Sequence, residues 1–258
     1  MQEPYTEACA GPEEELSMSF AIGRESMETG KVCVMHVRGR LIRTGVFLLI
    51  ALVLCVTAVT IDRTAAVAAG GMTDSKKIAL TFDDGPHPYY TEQLLDGLKK
   101  RGVKATFFVT GMHVEQYPDV IKRMSEEGHL IGNHTYSHMQ LSSSNSDTFR
   151  QELIQTNEVI EEVTGQEVQY VRPPYGTWDK KFEKELNMFP VLWTIDPLDW
   201  CSDNVACIVQ KVTSKAKENS IILMHDEYKS TVTAAFQIID ELMEQGYEFV
   251  TVDELLFD

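Results

Sequence analysis

From Lys76 to the C-terminus, short apolar β-type runs alternate with amphipathic stretches of helical period, and this alternation constrains the fold more than any other feature of the chain. Strands separated by helices are covered on their faces by those helices, so the pattern predicts an α/β domain built on a largely parallel sheet. Seven strands are expected, at Ile78–Phe82, Ala105–Val109, Leu130–Asn133, Gln169–Arg172, Val191–Ile195, Ile221–Met224 and Phe249–Val252. A helix is predicted over Thr148 to Val163, where Phe149, Leu153, Thr156, Ile160 and Val163 recur at three to four residues before Gly165 stops it. A second, Thr231 to Gln245, is expected to carry Val232, Phe236, Ile239 and Met243 on a core-facing stripe. No internal repeat, low-complexity stretch or long linker follows Gly71, so residues 76–258 read as one domain.

Upstream, Gly45 to Ile61 is a run of 17 residues without a charge, preceded by Arg38, Arg40 and Arg43. About 20 apolar residues cross a bilayer, and basic residues favour the cytoplasmic side. Residues 1–43 are therefore expected in the cytoplasm, 44–61 as a transmembrane anchor or signal segment, and 62–75 as a linker to a domain outside the cell. Ala66-Val67-Ala68 has the small-residue pattern of a cleavage site, so the domain is either anchored in the membrane or secreted after cutting near Ala68. Residues 1–34 resemble no targeting segment, whereas Met35 begins an ordinary basic-then-apolar leader, which suggests that translation starts at Met35.

The formal net charge is −16, and from Met72 onward 17 Lys and Arg face 31 Asp and Glu. Such a surface repels polyanions, which excludes nucleic acid as a partner and leaves neutral glycans acceptable. The five cysteines include no C-x-x-C pair. Beyond the apolar run only Cys201 and Cys207 remain, either as two free thiols or, outside the cell, as a local disulfide.

Polar residues gather just after the strands, where parallel α/β folds place their sites. Thr81-Phe82-Asp83-Asp84-Gly85-Pro86 offers adjacent carboxylates, which can divide cation binding from proton acceptance; taken alone, an Asp-Asp-Gly segment is more often a plain turn. In His134-Thr135-Tyr136-Ser137-His138 the i, i+4 spacing predicts two imidazoles on one side of a helical turn, able to grip one metal. With an aspartate they make a two-nitrogen, one-oxygen set that suits Zn²⁺, and Fe²⁺ or Co²⁺ as well. Arg172-Pro173-Pro174-Tyr175-Gly176 stiffens a loop, Asp196-Pro197-Leu198-Asp199-Trp200 adds carboxylates and an indole, and Leu223-Met224-His225-Asp226 adds a further histidine.

These five segments, in this order, resemble the motif set of the polysaccharide deacetylases of carbohydrate esterase family 4, over about residues 76–256. The resemblance implies a distorted (β/α) barrel of about seven parallel strands and a metal-dependent hydrolase that removes N-acetyl groups from cell-wall glycan, most of all N-acetylglucosamine of peptidoglycan. It implies Asp83 as catalytic base, Asp84, His134 and His138 as metal ligands, and His225 as general acid. Arg172 would orient the base and Asp199 would tune the acid. Tyr175 would hold the oxyanion through its backbone N–H, and Trp200 and Leu223 would wall the acetyl-methyl pocket. The expected partners are a glycan and, through the N-terminal segment, a membrane, with no obligate protein partner. Rival readings are a chitin-oligosaccharide deacetylase, an acetylxylan O-esterase, a catalytically silent glycan-binding domain, and an unrelated metallohydrolase acting on phosphate esters, against which stands the lack of a glycine-rich phosphate cradle.

Overall fold

In the computed structural model, which describes residues 76–257, the central strand is β1, Lys76–Asp83. Its residues from Ile78 to Asp83 are all buried, as expected where helices cover both faces of a parallel sheet. The other strands are β2 (Thr106–Val109), β3 (Leu130–Asn133), β4 (Tyr170–Val171), β5 (Phe189–Pro190), β6 (Ile221–His225) and β7 (Tyr247–Val250). All pairings are parallel, in the order β5-β4-β3-β2-β1-β6, with β7 pairing β1 off that path. Ala79 pairs with both Ile221 of β6 and Val250 of β7, so β7 lies on the edge of β1 opposite β6. It covers the first half of that edge, and β2 takes over at Thr81.

Around the strands run α1 (Tyr90–Arg101), α2 (Gly111–Gln116), α3 (Pro118–Glu126), α4 (Ser146–Thr164), α5 (Lys181–Leu186), α6 (Val205–Thr213), α7 (Lys229–Glu244) and α8 (Val252–Phe257). In α4 the predicted Phe149, Leu153, Thr156 and Ile160 are buried, and Gly165 ends the helix at φ 69°, a left-handed conformation that suits glycine. The α7 stripe is corrected at one end: Val232 and Ile239 are buried, but Met243 is exposed and Leu242 takes its place in the core. The buried row Val232, Ala235, Ile239, Leu242 still advances by three or four residues at a time, as one face of a helix does.

Most strand bounds shift by one or two residues from expectation, and the fifth and seventh shift as whole segments. The predicted strand Val191–Ile195 pairs with β4 only through Phe189–Pro190, because the carbonyls of Val191 and Leu192 accept hydrogen bonds from the Arg172 guanidinium instead of a neighbouring strand. The segment nevertheless reaches the far edge of the sheet. Ile195 bridges Ile222, Thr194 N–H donates to Ile221 O and Leu223 N–H to Ile195 O, so residues 189–195 tie β4 to β6 and curl the parallel sheet into an incomplete barrel. At the C-terminus β7 stops at Val250, where side chains of α8 take over the Thr251 polar groups: its N–H donates to Glu254 Oε2 at 3.1 Å and its Oγ1 donates to Asp253 Oδ1.

The segments 1–43, 44–61 and 62–75, Met35 and the cleavage pattern at Ala68 lie outside the described residues. Among the described residues no helix is long and apolar enough to cross a membrane. Cys201 is exposed, Cys207 is buried, and no disulfide joins the two.

Candidate active site

The parallel register aligns the C-terminal ends of the strands. Asp83, the last residue of β1, pairs across the ladder with His225, the last of β6, so one carboxylate and one imidazole stand side by side. Asp83 is 3% exposed, and its Oδ1 accepts from Arg172 Nη1 at 2.7 Å. Arg172 is wholly buried; it also donates to Thr81 Oγ1 at 2.6 Å and lies over the Phe108 ring at 4.3 Å. Burial works against the charged guanidinium and lowers its pKa, while the Asp83 charge and hydrogen bond oppose that shift.

Asp84 turns the other way, at φ 73°, a region that non-glycine residues occupy only when their surroundings hold them there. Its carbonyl accepts from His113 Nδ1 at 2.8 Å and Thr110 Oγ1 at 3.3 Å. Its carboxylate then faces two imidazoles, with Oδ1 3.3 Å from His134 Nε2 and 3.4 Å from His138 Nε2.

The histidine pair meets as expected, but not on a helical turn. Residues 134–141 are irregular, with Thr135 at φ 63° and His138 at φ 58°. Side chains shape this loop in place of helical hydrogen bonds: Asn133 Oδ1 accepts from Thr135 N–H, and Thr135 Oγ1 accepts from Met139 N–H. His134 is 3% exposed, and its Nδ1 lies 2.6 Å from Arg172 O. A carbonyl accepts only from N–H, so Nδ1 carries a proton, and Nε2, the nitrogen facing Asp84, is the atom left to bind a metal.

One ligand atom from each of Asp84, His134 and His138 lies within 4.8 Å of the others. Asp84 Oδ1 is buried yet makes no well-directed hydrogen bond, an orphaned acceptor facing two imidazole nitrogens. That donor set fits a divalent cation. Burial disfavours the Asp84 carboxylate, but the His134 contact and the charges of His134, His138 and His225 outweigh it and pull its pKa down to about 2. Burial also lowers the His138 pKa, which favours the neutral imidazole that ligation requires.

On the opposite side, Asp199 Oδ1 is 2.9 Å from His225 Nδ1, while Oδ2 accepts from His225 N–H at 2.8 Å and Thr231 Oγ1 at 2.7 Å. Burial alone would lower the His225 pKa; the hydrogen bond and charge of Asp199, with Asp83 and Asp84 behind it, push it up to about 9. His225 is thus held as an imidazolium with Nδ1 engaged and Nε2 free to donate.

Of the expected pocket residues, Tyr175 is 66% exposed, adopts φ 58° and sets its ring edge-on to His138 at 5.0 Å. Trp200, 54% exposed, stands on the short turn Asp199–Cys201. Leu223 is nearly buried, two residues before His225 and so on the same face of β6. All ten expected residues lie on or beside the C-terminal ends of β1, β3, β4 and β6 and the loop after β5. Thr81, Thr231 and His113, which contact this group, carry no sequence signal of their own.

A polysaccharide deacetylase family model matches residues 70–191. The chain is 42% identical over 182 residues to the peptidoglycan-N-acetylmuramic acid deacetylase PdaC of Bacillus subtilis, covering 70% of this chain and 39% of that one. The solved structure of PdaC superposes with a TM-score of 0.67 at 42% identity, covering 70% of this chain and 90% of that chain. A peptidoglycan-N-acetylglucosamine deacetylase of Bacillus cereus is 38% identical over 197 residues, covering 74% of this chain and 72% of its own. A structure described as a CE4 family pseudoenzyme from Bacillus anthracis matches with TM-score 0.67 and 33% identity, over 72% of this chain and 67% of that chain. The chain spans about two fifths of the length of the first curated relatives it matches. From the family model, these relatives and the motif residues gathered at one end of the sheet, the chain belongs to the polysaccharide deacetylase family.

Proposed function

We propose that this chain is a metal-dependent hydrolase that removes N-acetyl groups from cell-wall glycan, taking N-acetylglucosamine of peptidoglycan as substrate and releasing acetate. The observation that carries the proposal is the meeting of Asp84, His134 and His138 around one point, with Asp83 and His225 in adjacent register beside it. Asp84, His134 and His138 would hold the metal, zinc by the chemistry of the donor set, with cobalt or iron as substitutes. Bound there, a divalent cation supplies Lewis-acid polarisation of the acetyl carbonyl and eases ionisation of a nearby water.

The protein's own groups do the rest. Asp83, fixed by Arg172, accepts the proton of the attacking water. The Tyr175 backbone N–H donates to the oxyanion, and Leu223 and Trp200 receive the acetyl methyl. His225, kept protonated by Asp199, donates to the sugar nitrogen as the C–N bond breaks, leaving a free amine and acetate.

Membership in a family that also holds a pseudoenzyme does not by itself imply turnover, but the full set of Asp83, Arg172, Asp199 and His225 favours catalysis over silent glycan binding. A glycan substrate is supported by the rim of the site. Tyr89, Met112, Tyr175, Leu198, Trp200 and Tyr228 are all exposed, and all lie in segments that follow strand C-termini or the 191–195 segment, where sugar rings can stack. The same reading sets the domain outside the cell, anchored through residues 44–61 or released near Ala68.

Acetate release by the full chain from peptidoglycan, chitin oligomers and acetylated xylan tests the proposal. The highest kcat/KM is expected on peptidoglycan; a preference for chitin oligomers or xylan would move the substrate, and no release from any of the three would remove the activity.

The role of His225 makes a separate prediction about pH. An acid must be protonated to donate, so the rate falls as pH rises through the His225 pKa, and Asp199 raises that pKa. Asp199→Asn is therefore expected to move the alkaline limb of kcat/KM to lower pH by roughly one to two units. An unmoved limb in a folded variant would separate His225 from proton donation.

A further inference from the structure

Asp226 follows His225 and has no part in the chemistry above. It is wholly buried, and its Oδ1 has no hydrogen-bond partner. Burial pushes its carboxyl up to about 7. A buried carboxyl with one idle oxygen needs a reason for being there.

Its neighbours supply one. Thr91 Oγ1 donates to Asp226 Oδ2 and itself accepts from His87 N–H at 2.8 Å, so a short hydrogen-bond chain ties the segment after Pro86 to Asp226. Against the other side of the carboxyl lies Gly85. A Cβ built on Gly85 would fall 2.6 Å from Asp226 Oδ2 and 2.8 Å from Cγ, closer than atoms can approach, while the Gly85 φ is not in the left-handed region. Gly85 is therefore required by close approach to Asp226 and not by backbone conformation. From the opposite side Thr110 N–H donates to Gly85 O at 3.3 Å, and His113 and Thr110 hold the Asp84 carbonyl.

We propose that Asp226 is a positioning residue, a buried post against which Gly85 rests, so that Asp84 is held at its positive φ with its carboxylate aimed at His134 and His138. The inference rests on the reading that those three residues hold a cation. A non-glycine residue stays left-handed only while its surroundings over-determine it. Without the post, Gly85 gains room to move, the Thr91 tie is lost, and Asp84 relaxes away from the histidines.

The test is zinc affinity, measured by competition with a chromophoric chelator on the full chain, with thermal melts confirming that each variant is folded. Asp226→Ala is expected to bind zinc about 10–100-fold more weakly, the usual penalty for losing a residue that orients a metal ligand. Asp226→Asn keeps the shape and an acceptor for Thr91 and should bind within about threefold of the parent, whereas Thr91→Val, which keeps shape but loses the donor, should be weakened severalfold. A residue that merely stabilises the fold would lower the melting temperature and leave zinc affinity of the folded protein unmoved. Parental affinity in folded Asp226→Ala, or Asp226→Asn binding as poorly as Asp226→Ala, would overturn the proposal. If Asp226→Ala does not fold, Thr91→Val at parental affinity overturns it instead. A parent chain that binds no zinc defeats the cation reading itself, a result distinct from either of these.

Discussion

Asp83→Asn is expected to lower kcat for acetate release by about three orders of magnitude, within the 10²–10⁴ range for removing a positioned general base. The substitution is nearly isosteric, and Asn still offers Oδ1 to Arg172, so the geometry around the buried side chain is retained. What disappears is the capacity to take a proton from the attacking water. Zinc content should be unchanged, because Asp83 is not one of the three grouped ligand residues. Steady-state kinetics on peptidoglycan beside a metal determination check both halves. A folded, zinc-loaded Asp83→Asn chain that turns over at the parental rate would transfer the role of base elsewhere.

The second large effect is on stability. Arg172 is the largest fully buried side chain of the described residues. Its guanidinium donates to Asp83, Thr81 and the carbonyls of Val191 and Leu192, so it joins β1, β4 and the segment that closes the sheet. Arg172→Ala strands a buried Asp83 carboxylate and opens a cavity beside Phe108; removing one partner of a buried ion pair costs about 3–5 kcal/mol. For a domain of this size that corresponds to a fall in Tm of roughly 10 °C or more. Arg172→Lys should restore little, since one ammonium cannot serve a carboxylate, a hydroxyl and two carbonyls lying in the plane of a fork. Denaturant titration of the three chains decides the matter, and a loss under about 1 kcal/mol in Arg172→Ala would mean that Asp83 is satisfied without its partner.

The same arginine explains where sequence reading stopped. Local features with a fixed period were legible: the buried run of β1, the stripe of α4 and its Gly165 stop all follow from neighbours along the chain. The fifth strand departs from the predicted Val191–Ile195 because Val191 and Leu192 give their carbonyls to a side chain from another strand, which no periodicity can announce. The i, i+4 spacing predicts that His134 and His138 meet, and they do, but a loop with two left-handed residues brings them together in place of a helical turn. Roles for Asp83, Asp199, Tyr175 and Leu223 came from family resemblance and not from spacing. Asp226, Thr91 and His113 escaped because their meaning lies in contacts made across the fold, Thr91 and Asp226 being 135 residues apart in the chain.

The proposed chemistry requires one cation held by Asp84, His134 and His138. Stripping the full chain with a chelator and adding zinc back while following acetate release from peptidoglycan tests it most directly. The expected result is loss of activity on stripping and recovery that saturates at about one zinc per chain, with no recovery in His134→Ala. Acetate release that persists undiminished in the stripped protein, or recovers equally in His134→Ala, would contradict it.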